Sequence, residues 1–298
     1  MSPKRFSLFL AVGFTIAVSL AITVPQLHAQ GNAPTFTTID VPGGGETDAN
    51  DINTASTIVG FSLDTTLTIG TGFSFSNGTF TTIKVPRATD TRVYGINDAG
   101  DIVGWYIDSA AVTHGFKRTA SNGKFSKIDP PGSTLTNAWS INSAGTIVGA
   151  FVGSDGVFHG FTLIGTTYTT FTAPNGAILT EFLGVNNAGT AMVGIYDDSA
   201  GTEHGFSLKN GTTFSDITYP GATVTASDRI NDKNVIVGLH GTSTSGPFSG
   251  YRKSGATFTN INFPGSTETR CRGLNHAGMI VGRYTDTSGV IHGMLITP

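Results

Sequence analysis

The chain has 298 residues, a net charge of −3 at pH 7 and only 12% charged residues. That length allows one large domain or two small ones, and the missing basic surplus argues against a dedicated nucleic-acid binder. The single cysteine, Cys271, excludes an intrachain disulfide framework and a cysteine-only metal cage.

The first element is an address. Lys4 and Arg5 precede an uncharged apolar run from Phe6 to Val24, which Pro25 breaks, and Ala29 supplies a small residue before a cut. This is the pattern of a secretory signal peptide over residues 1–29. It predicts an exported domain over residues 30–298, secreted or periplasmic, with no membrane span after cleavage.

From there the chain repeats. Asn53, Asn97, Asn142, Asn186, Asn231 and Asn275 are 44 or 45 residues apart, and a Thr stands six residues before each: Thr47, Thr91, Thr136, Thr180, Thr225 and Thr269. An apolar-Val-Gly signature follows each Asn, as in Ile102-Val103-Gly104. Each unit reads as four short strands. The first ends at the Asn, and a tight turn leads to the second. A Gly-aromatic step such as Gly115-Phe116 opens the third. The pairs Asn77-Gly78, Asn122-Gly123 and Asn210-Gly211 predict hairpins into the fourth. Gly100, Gly145, Gly189 and Gly278 take a turn position that calls for positive φ, with Asn234 in the fifth unit and Ser56, a poorer fit, in the first.

Four strands at this period predict propeller blades. An orphan fourth strand, Phe36 to Val41, opens the mature chain, and an orphan third strand, His292 to Ile296, ends it. The expectation is therefore an all-β, six-bladed β-propeller of four-stranded blades. The ring would be closed by the N-terminal strand pairing with the C-terminal blade.

The run from Gly95 to Gly104, Gly-Ile-Asn-Asp-Ala-Gly-Asp-Ile-Val-Gly, followed by His114-Gly115-Phe116, resembles the HAF-repeat family of predicted extracellular bacterial proteins. The resemblance covers all six units. It departs from the family name in having His-Gly-Phe, and Thr71 and Ser249 replace the His in two units. It implies an exported repeat protein and carries no established reaction.

His114, His159, His204 and His292 invite a metal reading. A third strand lies roughly 10 Å outside the innermost one, whereas zinc needs its nitrogens at about 2.0–2.1 Å. One His per blade cannot converge on one ion, so these residues read as structural, bonded to Asp64, Asp108, Asp198 or Asp286 in the preceding loops. The repeated Asn and Thr also read as structural, the Asn bonding its own turn. No cofactor or metal is expected, and Asp197-Asp198 lacks the ligand density of a calcium loop.

Function should lie where the units differ. One step after the repeated Thr come Asp48, Arg92, Asn137, Glu181, Ala226 and Arg270; three steps after it come Asn50, Tyr94, Trp139, Leu183, Asp228 and Arg272. The first strand of a blade would line the central channel, so these residues would ring its opening. Arg92, Arg270 and Arg272 could hold an anion or carboxylate, and Tyr94 and Trp139 could stack on a sugar. The expectation is a non-enzymatic binding or interaction module for an extracellular glycan or a protein partner. The alternative is a carbohydrate-active hydrolase or lyase using the rim carboxylates Asp48, Glu181 and Asp228.

Overall fold

The computed structural model describes residues 33–174 and 176–298, and the signal peptide expected over residues 1–29 lies outside them. No helix occurs among the described residues, so none there is long and apolar enough to cross a membrane.

The residues before each repeated Asn form a seven-residue inner strand. These are Glu46–Ile52, Asp90–Ile96, Leu135–Ile141, Leu179–Val185, Val224–Ile230 and Glu268–Leu274. The turn that follows uses a left-handed residue in every unit, from Asn234 at φ 54° to Gly278 at φ 89°. Ser56 adopts the same conformation at φ 62°, where a Cβ costs roughly 1–2 kcal/mol.

Second strands then return antiparallel to the inner ones, and the register slips once in each pair, always at the same place. The extra residue in the slip is Asn50, Tyr94, Trp139, Leu183, Asp228 or Arg272. Such bulges bend a strand and re-aim its side chains. The repeated Gly makes the slip feasible. A Cβ on Gly60, Gly104, Gly149, Gly194, Gly238 or Gly282 would run into the carbonyl of Asp48, Arg92, Asn137, Glu181, Ala226 or Arg270, respectively. Gly194→Ala is therefore expected to destabilise the protein by about 3 kcal/mol, lowering the midpoint of thermal unfolding by about 6–12 °C. An unchanged midpoint would mean that the backbones do not approach this closely.

The Val of the same signature builds the core between sheets. Val59 packs with Val93 and Phe116, Val103 with Ala138 and Phe161, and Val148 with Phe182 and Phe206. Val193 meets Ile230 and Tyr251, Val237 meets Cys271 and Met294, and Val281 meets Ala49 and Phe73. Each Val thus reaches into the next repeat, and the last reaches the first. The inner strands likewise touch in sequence around the ring, with Glu268–Leu274 against Glu46–Ile52. The arrangement is an all-β propeller.

Polar belts reinforce the junctions. Asn53, Asn97 and Asn142 each donate from Nδ2 to the carbonyl of the next repeated Asn, at 3.2–3.3 Å, as do Asn231 and Asn275. Each Oδ1 accepts from its own turn four residues on, as Asn97 does from the Asp101 N–H at 2.9 Å. The Asn side chain therefore ties neighbouring repeats as well as its own turn. At Asn186 the link is replaced: its Nδ2 donates to Thr190, and Ala188 N–H donates to Asp232 instead. Thr47, Thr91, Thr180, Thr225 and Thr269 accept from the backbone N–H of the residue before the strand-ending prolines, as Thr47 Oγ1 does from Val41 at 3.0 Å. Thr136 turns to Ser133 instead.

The two ends of the described chain join. Thr35–Ile39 pairs antiparallel with Ile291–Thr297, with Phe36 opposite Ile296 and Thr38 opposite Met294. The sheets themselves depart from the expected set of six separate four-stranded units. Four are separate; the strands from Leu135 to Ile217 form one eight-stranded sheet. The cause is a parallel bridge between Phe158, which opens a third strand, and Leu179, which opens the next inner strand. Turn chemistry also departs once. Asn77-Gly78 and Asn210-Gly211 both take positive φ at both residues, but at Asn122-Gly123 only the Gly does. There the loop is six residues long, because Asp101 Oδ1 holds the Ala120 N–H and Asn122 Oδ1 holds the Lys124 N–H, both at 2.9 Å.

Candidate functional site

The channel is plugged. At the position after the bulge, four inner strands carry Gly95, Ser140, Gly184 and Gly273, and two carry Asp51 and Arg229. Arg229, 7% exposed, crosses the ring to Asp51, 6% exposed, with Nε 3.4 Å from Oδ1. Its guanidinium also donates to the carbonyls of Leu183, Tyr94 and Trp139, the last at 2.9 Å. A Cβ on Gly95, Gly184 or Gly273 would meet the backbone of the next inner strand, so the small residues let the inner strands approach closely around the plug. Asp51 in turn accepts from the Ile52 and Ile96 N–H groups at 3.0 and 3.1 Å.

Arg229 lines cavities on both sides. Toward the Asn belt the space is about 60 Å³. Toward the opposite mouth it is about 150 Å³, lined by Tyr94, Trp139, Glu181, Leu183, Asp228 and Arg272 among others. A wider space of about 520 Å³ shares Asp228 and Arg272 and adds Asp197, Glu203, Phe248 and Arg270.

The mouth is not symmetric. One arc is aromatic: Tyr94 meets Trp139 edge-on at 4.4 Å and stacks with Trp105 at 6.2 Å. Arg92 lies over both Phe61 and Trp105 at 4.8 Å. The next arc is acidic, with Glu181, Asp197, Glu203 and Asp228. The last carries Arg270, Arg272 and Arg283.

Each arginine here has its own carboxylate. Arg92 bonds Asp90 at 3.1 Å, Arg270 bonds Glu268 at 2.6 Å, Arg272 bonds Asp228 at 2.7 Å and Arg283 bonds Asp48 at 3.0 Å. Arg92, Arg270 and Arg272, expected to hold an anion or a carboxylate, each hold a carboxylate of the protein itself. Burial works against the Arg272 charge, but Asp228 and Asp48 hold its pKa above the usual guanidinium value. Burial, then Arg283 and Arg272, lowers that of Arg270.

The acids are not all matched. Among the described residues, Glu181, Asp197 and Glu203 form no ion pair, whereas Asp48 and Asp228 do. Burial, then the charges of Glu203 and Asp197, pushes Glu181 up to about 7. Burial, then Asp228 and Asp197, pushes Glu203 up to about 7. Burial and Asp198 raise Asp197 as well. Burial and Asp48 push the Tyr94 phenol up to about 12, so it stays a neutral donor.

A carboxyl whose pKa rises on folding stabilises the fold below its unfolded value, near 4.5, and that contribution is lost as pH rises through about 7. At pH 8 the ionised pair opposes folding by up to about 3 kcal/mol per group. Glu181→Gln/Glu203→Gln is therefore expected to raise the unfolding midpoint at pH 8 and leave it nearly unchanged at pH 4.5. Thermal scans across pH check this, and a gain independent of pH would refute it.

Six buried side-chain nitrogen or oxygen atoms lack a hydrogen-bond partner among the described residues. Five of these are on inner strands: Asp48 Oδ1, Trp139 Nε1, Asp228 Oδ2, Arg229 Nε and Arg272 Nε. Native interiors leave few such groups unsatisfied, and each calls for an explanation. Arg229 Nε faces Asp51 within the plug, and three of the others, on Trp139, Asp228 and Arg272, belong to residues lining one mouth cavity, which marks that end as the candidate site.

Of the residues singled out by sequence, Tyr94, Trp139, Glu181, Asp228 and Arg272 come together on the narrower cavity with Asn50, and Arg270 lines the wider one. Asp48 and Arg92 are held by their ion pairs, and Asn137 lines neither space. Sequence reasoning missed Asp197, Glu203 and Arg283, which lie on second and third strands, and the Asp51–Arg229 plug. The plug had a signal: those two are the charged members of a column otherwise Gly or Ser.

The His residues sit away from the channel. His114 lies between Asp108 and Asp129 at 3.3 and 2.7 Å, and His159 between Asp155 and Thr172 at 2.9 and 2.8 Å. His204 bonds Asp198 at 2.9 Å, and His292 bonds Asp40 across the closing seam at 2.8 Å. No group of three or more metal-ligating side chains occurs among the described residues.

Comparison with protein-family models and with curated proteins finds no match to this sequence. Solved structures do resemble it. TolB from Acinetobacter baumannii aligns with a TM-score of 0.56 and 15% identity over 80% of this chain and 63% of that one, so this chain spans less than two thirds of that TolB. The SapL1 lectin in complex with alpha methyl fucoside aligns with a TM-score of 0.53 and 10% identity over 84% and 92%. A gluconolactonase from Xanthomonas campestris aligns with a TM-score of 0.50 and 12% identity over 88% and 89%. At such identities the likeness is one of fold, and the fold these chains share with this one is the β-propeller.

Proposed function

We propose that the chain is an exported binding module whose channel mouth takes a saccharide. The observation that carries this is the set of unpartnered buried polar atoms around Tyr94 and Trp139, above a channel floor closed by Arg229. Arg272 Nε is a donor without an acceptor, Asp228 Oδ2 is an acceptor without a donor, and Trp139 Nε1 has only the Glu181 carboxyl beside it. A sugar hydroxyl is both donor and acceptor, and the ring's apolar face matches an aromatic wall. The same fold accommodates a fucoside-binding lectin and a gluconolactonase, so the side chains rather than the fold decide.

Three further proposals accompany this reading. The eight-stranded sheet is two blades that share one bridge, giving six blades; the closed succession of six inner strands supports it. The chain is a HAF-repeat protein, on the strength of its six matching units. It is exported and cleaved near Ala29, on the strength of the charged and apolar pattern of residues 1–29.

Calorimetric titration with a panel of neutral and amino saccharides tests the binding reading. Binding is expected, with Asp228→Asn weakening it by about tenfold. If every saccharide fails to bind, or Asp228→Asn and Trp139→Ala leave affinity unchanged, the reading is wrong.

One observation favours a second reading. Glu181 and Glu203 both stand near neutrality at the same mouth, as general acids and bases do. If the bound saccharide is cleaved, Glu181→Gln or Glu203→Gln abolishes turnover while binding persists.

A further inference from the structure

The acidic arc has a chemistry that a neutral sugar does not use. Three carboxyl groups, Glu181, Asp197 and Glu203, lie on adjoining strands of one repeat: Leu179–Val185, Ala191–Asp197 and Glu203–Lys209. None has a cationic partner among the described residues, although four arginines stand around the same mouth, each bonded to another acid. These three carboxyl groups therefore have no counter-charge of their own among the described residues when they ionise.

A second observation points at a ligand independently. Asp228, 3% exposed, gives one oxygen to Arg272 and keeps Oδ2 without a donor, while lining both the narrow and the wide space. A buried carboxylate oxygen left bare is costly unless something donates to it. Across the narrow space stand Tyr94 and Trp139, whose ring faces attract cations. Acids on one side and aromatic faces on the other make a site for an organic cation with three N–H donors.

We infer that the mouth recognises a protonated primary amine, carried on a sugar ring, with the ammonium between Asp228 Oδ2 and Glu181 in the narrow space, Glu203 adding negative charge from the adjoining wider space, and the ring against Tyr94 and Trp139. The inference rests on the saccharide reading and narrows it to amino sugars. A ring hydroxyl takes the remaining donor, Arg272 Nε. Glu181 faces Glu203, Asp197, Trp139 and Arg272; Glu203 faces Asp228, Asp197, Arg272 and Arg270. An ammonium placed there favours the ionised carboxylates, so amine affinity rises from pH 5 to pH 7.

The test compares oligomers of glucosamine with the N-acetylated oligomers of equal length, and adds cyclohexylamine against cyclohexanol. The amine form is expected to bind at least about tenfold more tightly than the acetylated form. Glu181→Gln/Glu203→Gln is expected to bring that ratio close to one. Equal affinity of the two oligomers, or a ratio that survives the double substitution, overturns the amine site and leaves the saccharide reading standing. Binding of cyclohexylamine without either oligomer keeps the amine site and removes the saccharide reading. Failure of all the probes overturns both.

Discussion

Arg229→Ala is expected to lower stability by about 3–5 kcal/mol, because it leaves Asp51 as a buried charge without its cation. In a chain of this size that is a fall of about 10 °C in the unfolding midpoint. The loss is larger than a surface ion pair could produce, since those contribute roughly 1 kcal/mol or less. The plug also fixes the ring, for one guanidinium holds carbonyls from three inner strands and a carboxylate from a fourth. Replacing both partners by apolar residues, Asp51→Leu with Arg229→Met, should recover part of the loss, because no orphan charge remains. An Arg229→Ala protein that melts with the wild type would show that the pair is not a buried plug.

Breaking the closing seam should have the other large effect. Ile39 is 4% exposed and sits opposite Gly293, and Phe36 packs edge-on against Phe263 at 5.6 Å. Ile39→Asp places an unpaired charge in the core cluster that Val281 shares with Ala49 and Phe73. About 4 kcal/mol or more is expected to be lost, and with Phe36→Asp added the outer strand should detach, exposing the edge of Ile291–Thr297 to intermolecular pairing. Thermal scans with light scattering would show an early transition and aggregation. A monomeric double variant with wild-type melting would contradict closure through this strand.

The repeat was legible because a residue required once per unit recurs at fixed spacing. Asn142 and Thr180 stood out in this way, and so did the valines of the core and the glycines under the bulges. Their partners were less legible. Its place before a tight turn predicts that Asn142 holds its own turn, which it does at Thr146, but its amide also bonds the carbonyl of Asn186, and no local pattern reveals a contact 44 residues away. The bridge from Phe158 to Leu179 depends on the approach of two strand starts, which spacing alone does not determine.

At the mouth the columns three steps past each Thr led to Tyr94, Trp139, Asp228 and Arg272, because a bulge aims that column inward. The column one step past each Thr supplies Arg92 and Arg270, and both are held by carboxylates of their own strands. Their acids, Asp90 and Glu268, lie two residues before them on the same strands, so that pairing had a local signal. Asp197 and Glu203 belong to second and third strands, and only the fold brings them beside Glu181.

The chain has two tryptophans, Trp105 and Trp139, and both stand on the aromatic arc beside Tyr94. Tryptophan emission therefore reports this mouth and no other part of the molecule. In a Trp105→Phe protein, titration with a saccharide that binds by calorimetry should change the emission of Trp139 saturably, with a midpoint equal to the calorimetric Kd. Heat of binding with Trp139 emission unchanged would put the ligand elsewhere and contradict the claim that the plugged channel's mouth is the binding site.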